Sequence, residues 1–139
     1  MKKISFLSLL VLAACSSQPG PKDVVFDFIA AVRTGDTTSV LQMLDIDAYV
    51  KFNMVEMSPE DSAVALREYR DLPVQRLFGD GEVRERWMNW QIVVNRELKQ
   101  DSLADVEVSF VNRMTRHQIL TYVKLQLQPD GVWKIYYFE

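Results

Sequence analysis

Asp105-Val106-Glu107-Val108-Ser109-Phe110 alternates polar and apolar side chains at every step. On an extended chain successive side chains point to opposite faces, so Val106, Val108 and Phe110 share one face and three polar residues the other. The same period of two continues on both sides. Upstream, Met88, Trp90, Ile92, Val94 and Leu98 share one parity against Asn89, Gln91, Asn95 and Glu97. Downstream, Ile119, Val123, Leu125 and Leu127 oppose Gln118, Lys124, Gln126 and Gln128, and Trp133, Ile135 and Tyr137 keep the pattern to the end. Polar breaks at 100–102, at Asn112 to Arg116 and at Pro129-Asp130-Gly131 mark the turns between these runs. The pattern predicts an antiparallel meander with one apolar face.

That face needs a cover, and the first half of the chain supplies it. Pro21 suits a first helical position, Val25, Phe28, Ile29 and Val32 then fall on one helical face, and Gly35 is placed to end the helix. Asp36 or Thr37 caps a second helix carrying Val40, Leu41 and Leu44. Tyr49, Val50, Phe52 and Val55 give residues 48–55 enough β-formers for a short strand or irregular crossing. Ser58-Pro59-Glu60-Asp61 starts a further helix with Ala63, Leu66 and Tyr69 turned inward. Pro73 breaks it, and a last turn through Leu77 and Phe78 ends at Gly79-Asp80-Gly81. Helices first and an alternating sheet afterwards predict an α+β fold, with N-terminal helices packed on a curved antiparallel meander, in one domain over residues 22–139.

The composition agrees with a filled core. Of 139 residues, 48% are apolar and 11% aromatic, with only 5 Gly and 5 Pro, which excludes collagenous and low-complexity chains. With 16 Lys+Arg against 19 Asp+Glu the net charge is −3, so the surplus of cations that binds nucleic acid is missing.

The beginning of the chain carries an address. Lys2 and Lys3 precede an apolar run from Ile4 to Leu12 that is too short for a finished membrane-spanning helix and reads as a secretory signal. The run closes in Leu12-Ala13-Ala14-Cys15, which resembles the lipobox of bacterial lipoproteins. The resemblance implies cleavage after residue 14 and lipidation of Cys15, the single cysteine. Residues 15–21 would then be the lipidated Cys and a polar tether. Loss of residues 1–14 takes Lys2 and Lys3 away and leaves 125 residues at a charge of −5. Three acyl chains anchor stably where one is marginal, so the expected membrane contact is through lipid alone. Ser16 after the modified Cys, where the enterobacterial sorting pattern would read an Asp as retention, implies the periplasmic face of the outer membrane.

The body of the chain resembles the nuclear transport factor 2-like (NTF2-like) superfamily, including its small bacterial lipoproteins. The matching pieces are the opening from Pro21 to Ala31, Gly35-Asp36, and the closing Asp130-Gly131-Val132-Trp133-Lys134-Ile135. The resemblance implies a cone, in which a curved sheet wraps the helices and leaves a cavity open at one end. Members include isomerases, dehydratases, ligand binders and assembly modules, so the fold leaves the activity open.

Several residues compete for a role. On the resemblance, the cavity would be lined by Phe28, Val32, Trp90, Val108, Val123 and Tyr137, each equally suited to simple core. Arg96 shares the parity of Ile92, Val94 and Leu98. Either a β-bulge turns it outward, or it projects inward and holds an anionic ligand group. Trp87, Val93, Val111, Leu120 and Tyr122 form a candidate apolar strip on the outer sheet face, for a homodimer or an envelope partner, unless residues 48–57 cover it. Arg84, Arg86, Arg113 and Arg116 offer either a basic patch or mixed solvated charge with Glu82 and Glu85.

Catalytic candidates are few. His117, the single histidine, is either a general base or a solvated hairpin residue; Asp45 and Asp47 are either a carboxylate pair or an acidic turn. No metal-ligand spacing, phosphate loop or nucleophile elbow is present, and no cofactor is expected. The reading is a lipid-anchored envelope protein that binds a partner or a small apolar ligand without catalysis. Its rival is a small periplasmic isomerase or dehydratase using His117 with Asp45 or Asp47.

Overall fold

The computed structural model describes residues 17–54 and 58–139. The signal segment, Cys15, Ser16 and Val55 lie outside the described residues. Within them the order is α1 (Pro21–Thr34), α2 (Thr37–Met43), α3 (Ile46–Asn53), α4 (Pro59–Glu68), α5 (Leu72–Phe78), α6 (Glu82–Asn89), then β1 (Gln91–Gln100), β2 (Leu103–Val111), β3 (Gln118–Leu127) and β4 (Trp133–Tyr137). The strands are antiparallel neighbours in the order β1-β2-β3-β4. This is the expected α+β meander. No described helix is long and apolar enough to cross a membrane.

The helix ends follow local chemistry. Gly35 ends α1 at φ 70°, a left-handed conformation that suits a residue without Cβ. Asp36 caps α2 by accepting from the Ser39 N–H at 3.1 Å, Asp45 caps α3 from Ala48 at 2.9 Å, and Ser58 caps α4 from Asp61 at 3.2 Å. The N-terminus of α1 is served from the sheet: Glu97 of β1 accepts from the Lys22 N–H at 3.0 Å, while Lys22 Nζ donates to the Asn95 carbonyl at 2.8 Å.

Three expectations need correction. Residues 46–53 form a helix rather than a strand or crossing: Asp45 starts it, and Tyr49 and Val50 gain full burial from that helical face, which outweighs their β preference. The stretch before β1 is helical through Asn89, because Gly81 opens a turn with Glu82 and Glu85 at its positive end and Arg86 at its negative end. Met88 and Trp90 therefore precede the sheet. In α4 only Ala65 is buried, whereas Ala63 and Tyr69 are exposed, since that helix packs on little besides α3.

The core is continuous, running from Val24, Val25, Phe28 and Val32 of α1 through Trp87 of α6 to Val106, Val108, Phe110, Val123, Leu125, Ile135 and Phe138. All of it lies between Val24 and Phe138. The two sheet edges differ. Beyond β4, Leu44 makes a parallel bridge to Ile135, and the Asp45 N–H donates to the Ile135 carbonyl at 2.8 Å. β1 is the other edge, and its pairing with β2 slips between Val94 and Glu97.

Candidate functional site

The space between the helices and the sheet is occupied by aromatic rings. Phe28 meets Trp87 edge-on at 5.3 Å and Phe138 at 5.5 Å; Trp87 meets Phe110 at 5.2 Å; Tyr49 meets Phe138 at 5.1 Å. The Trp87 indole N–H donates to the Glu139 carbonyl at 2.7 Å, so this buried ring keeps a polar partner. The Tyr49 hydroxyl accepts from Arg76 at 2.8 Å, and burial raises its pKa despite that cation.

The residues singled out in the sequence separate accordingly. Phe28, Val32, Val108 and Val123 are fully buried members of the core. Tyr137 stands 4.8 Å from the Phe52 ring; burial, then its bond to Glu139, pushes its pKa up to about 12. Arg96 is turned outward by the β1 bulge and donates to Glu107 at 3.0 Å. Trp87 leaves the outer strip altogether, because it lies on α6 and points into the core. Val93 and Leu120 share one outer row across Ser109, and Leu120 is 55% exposed, so α3 does not cover them. Val111 lies between Gln91 and Gln118, and Tyr122 opposite Glu107, which interrupts the strip with polar groups.

His117 and the aspartates lie far apart. His117 sits exposed before β3, its ring edge-on to Trp90 at 5.8 Å. Asp45 accepts at the other end of that strand, from Gln126 at 2.7 Å and Gln128 at 3.2 Å, and Asp47 forms an exposed ion pair with Arg70 at 3.6 Å. Ten strand residues separate the two ends by roughly 30 Å. The isomerase constellation is therefore not assembled. No cluster of three metal-ligating side chains occurs among the described residues.

What the fold does assemble is an open groove of about 400 Å³ where α1 and α6 end beside β1 and the β2–β3 hairpin. Trp90, Met88, Ile92 and Met114 supply its apolar lining, and Arg33, Arg113, Glu85, Asn89, Gln91 and Asn112 its polar lining. Arg33 is held by the carbonyls that end α6, with Nε donating to Trp87 at 3.3 Å and Nη2 to Trp90. Arg113 Nε donates to Gln91 at 3.1 Å. Both cations are thus positioned by neutral oxygens and retain donors for an anion. Two other depressions differ in character: one between α1 and α2 is lined by Asp27, Thr34, Asp36 and Ser39, the other on the sheet by Leu98, Leu103, Asp105 and Tyr136.

Sequence reasoning assigned Trp90 to an interior cavity with Phe28 and Val32 rather than to this groove, and missed Arg33, Met88, Ile92 and Met114 as its neighbours. Met114 carried a usable signal, an apolar side chain inside a polar turn.

No protein-family model matches the chain, and no curated protein is similar enough to count as a relative. Among solved structures, the phospholipid-binding protein of Ralstonia solanacearum, determined in complex with a phospholipid, superposes with a TM-score of 0.53. The identity is 14%, over 83% of this chain and 72% of that one. The likeness is one of fold. A Campylobacter jejuni protein described as an NTF2-like transpeptidase gives a TM-score of 0.43 at 17% identity, over 84% of this chain and 97% of that one.

Proposed function

We propose that this chain is a lipid-anchored protein of the bacterial envelope, on the periplasmic face of the outer membrane, that binds an amphipathic anionic ligand of the phospholipid kind without catalysis. The observation that carries the reading is the groove, which sets Trp90, Met88 and Ile92 beside the guanidinium groups of Arg33 and Arg113. Aromatic filling of the interior turns binding toward this outer site. The Ralstonia protein, similar in fold, binds a phospholipid, which supports the ligand class. Leu12-Ala13-Ala14-Cys15 supports the anchor.

Titration of residues 17–139, which hold the whole core, with a monomeric short-chain phosphatidylglycerol tests the groove. Saturable binding that weakens about tenfold, or 1.4 kcal/mol, in Trp90→Ala and Arg113→Ala is expected. Binding unchanged in both variants overturns it. For the anchor, mass spectrometry of the membrane fraction should find acylated Cys15, and Cys15→Ser should release the protein from the acylated fraction. A second reading, pairing of two copies through the outer face, is favoured by the exposure of Val93 and Leu120. A strictly monomeric mass at high protein concentration removes it.

A further inference from the structure

The β2–β3 hairpin has a construction that ligand binding in the groove does not require. Its apex is built rigidly: Asn112 Oδ1 accepts from the N–H groups of Met114 at 3.0 Å and Thr115 at 3.1 Å, and the Asn112 carbonyl accepts from Arg116 at 2.8 Å. The Asn112 N–H donates to the His117 carbonyl at 2.9 Å, closing the loop, and Arg116 takes a left-handed φ of 61°. This framework holds Met114 at the tip with 95% of its surface exposed, between Arg113 and Arg116. Met114 is the most exposed of the large apolar side chains among the described residues, and the self-bonded turn sets it between two arginines.

Charge singles out the same place. On a chain with 19 acidic residues, none occurs from Val108 to Pro129, whereas Arg113, Arg116 and Lys124 fall within that stretch. Glu85, in the adjoining groove, is engaged by the Asn89 amide at 2.6 Å. The hairpin also lies at the end of β3 away from the tether, since the Gln18 side chain lies against Gly131 in the β3–β4 turn. A strand of ten residues puts roughly 30 Å between tether and tip.

We infer that the Arg113–His117 hairpin docks on an anionic lipid bilayer, with Met114 entering the interface and Arg113 and Arg116 at the level of the phosphates. An apolar apex flanked by guanidinium groups matches the order of a bilayer surface, acyl chains below and anionic oxygens above. The attraction comes from the local cations, so it exists despite the negative charge of the whole chain and weakens with salt. The inference adds a surface contact to the proposed groove, with which it shares Arg113 and Met114.

Flotation of residues 17–139 with vesicles tests it. Vesicles containing phosphatidylglycerol should carry the protein at low salt and release it at high salt, and pure phosphatidylcholine vesicles should not carry it. Each arginine near an anionic surface contributes about fivefold in affinity, so Arg113→Glu/Arg116→Glu should lose at least about 25-fold. Met114→Ser should weaken binding at unchanged charge. Arg67→Glu/Arg70→Glu, the same charge change on exposed residues elsewhere, should stay within about twofold of the parent. Circular dichroism melts confirm that these surface variants are folded. Equal retention by the hairpin and control variants, equal binding to neutral vesicles, or no binding to anionic ones overturns the inference. Monomeric short-chain lipid reads the groove separately: Arg116→Glu, which lies outside the groove lining, should leave that titration within about twofold while weakening vesicle flotation, so either proposal can fail alone.

Discussion

Arg96 shows how one backbone irregularity decides a side chain's fate. By strict alternation it belongs with Ile92 and Val94, yet its side chain is 63% exposed and paired with Glu107, whose own side chain is 13% exposed. The slip between Val94 and Glu97 reverses the parity and brings Glu97, two positions after Asn95, to the start of α1. Arg96→Met should therefore leave the melting temperature unchanged within error, because Glu107 keeps the Tyr122 hydroxyl as a donor at 3.3 Å. Phe28→Ala should behave oppositely, lowering stability by about 3–5 kcal/mol in denaturant titration, since its ring is enclosed by Trp87 and Phe138. Both alternatives for Arg96 were legible in the sequence. The choice was not, because a bulge leaves no mark in a pattern of residue types.

Among the elements, those with strong end signals were readable and those fixed by packing were not. Pro21, Gly35, Asp36, Ser58 and Pro59 bound their helices where the residue types require. Residues 48–55 looked like a short strand or crossing, and Met88 and Trp90 like the start of β1, because Tyr49, Phe52, Met88 and Trp90 suit either state, and only their contacts decide. Asp36 offers a test at this scale. Hydrogen bonds from the Ser39 hydroxyl and N–H hold its pKa below the usual 3.8. A carboxylate with a depressed folded pKa stabilises fully above its unfolded pKa and loses that contribution as pH falls through the folded value. Asp36→Asn should flatten the acid side of the stability curve, read as melting temperature between neutral pH and pH values below 3.8. Glu97→Ala should cost about 0.5–1 kcal/mol by removing the carboxylate at the N-terminus of α1, with amide exchange rising first at Lys22 and its neighbours.

For the whole molecule, periodicity identified most inward side chains but wrongly included Leu98 beyond the β1 slip and Leu127 at the end of β3, which are exposed. It could not tell whether the inward ones enclose a void or fill it, because parity carries no volume. Phe28, Trp87, Phe110, Phe138 and Tyr49 close the centre, and the candidate site moves to the rim. Because a continuous core ties helices to sheet, unfolding should be a single transition, with tryptophan fluorescence and far-ultraviolet circular dichroism coinciding in one denaturant titration. The sheet borders carry a last consequence. On one side Leu44 already occupies the hydrogen-bonding positions beside Ile135; on the other, the slipped register and the charged side chains of Arg96, Glu97 and Lys99 spoil a straight template. Neighbouring copies crowded together thus meet a hindered border at Ile135 and along the slipped half of β1, which works against a strand-rich polypeptide growing into fibrils.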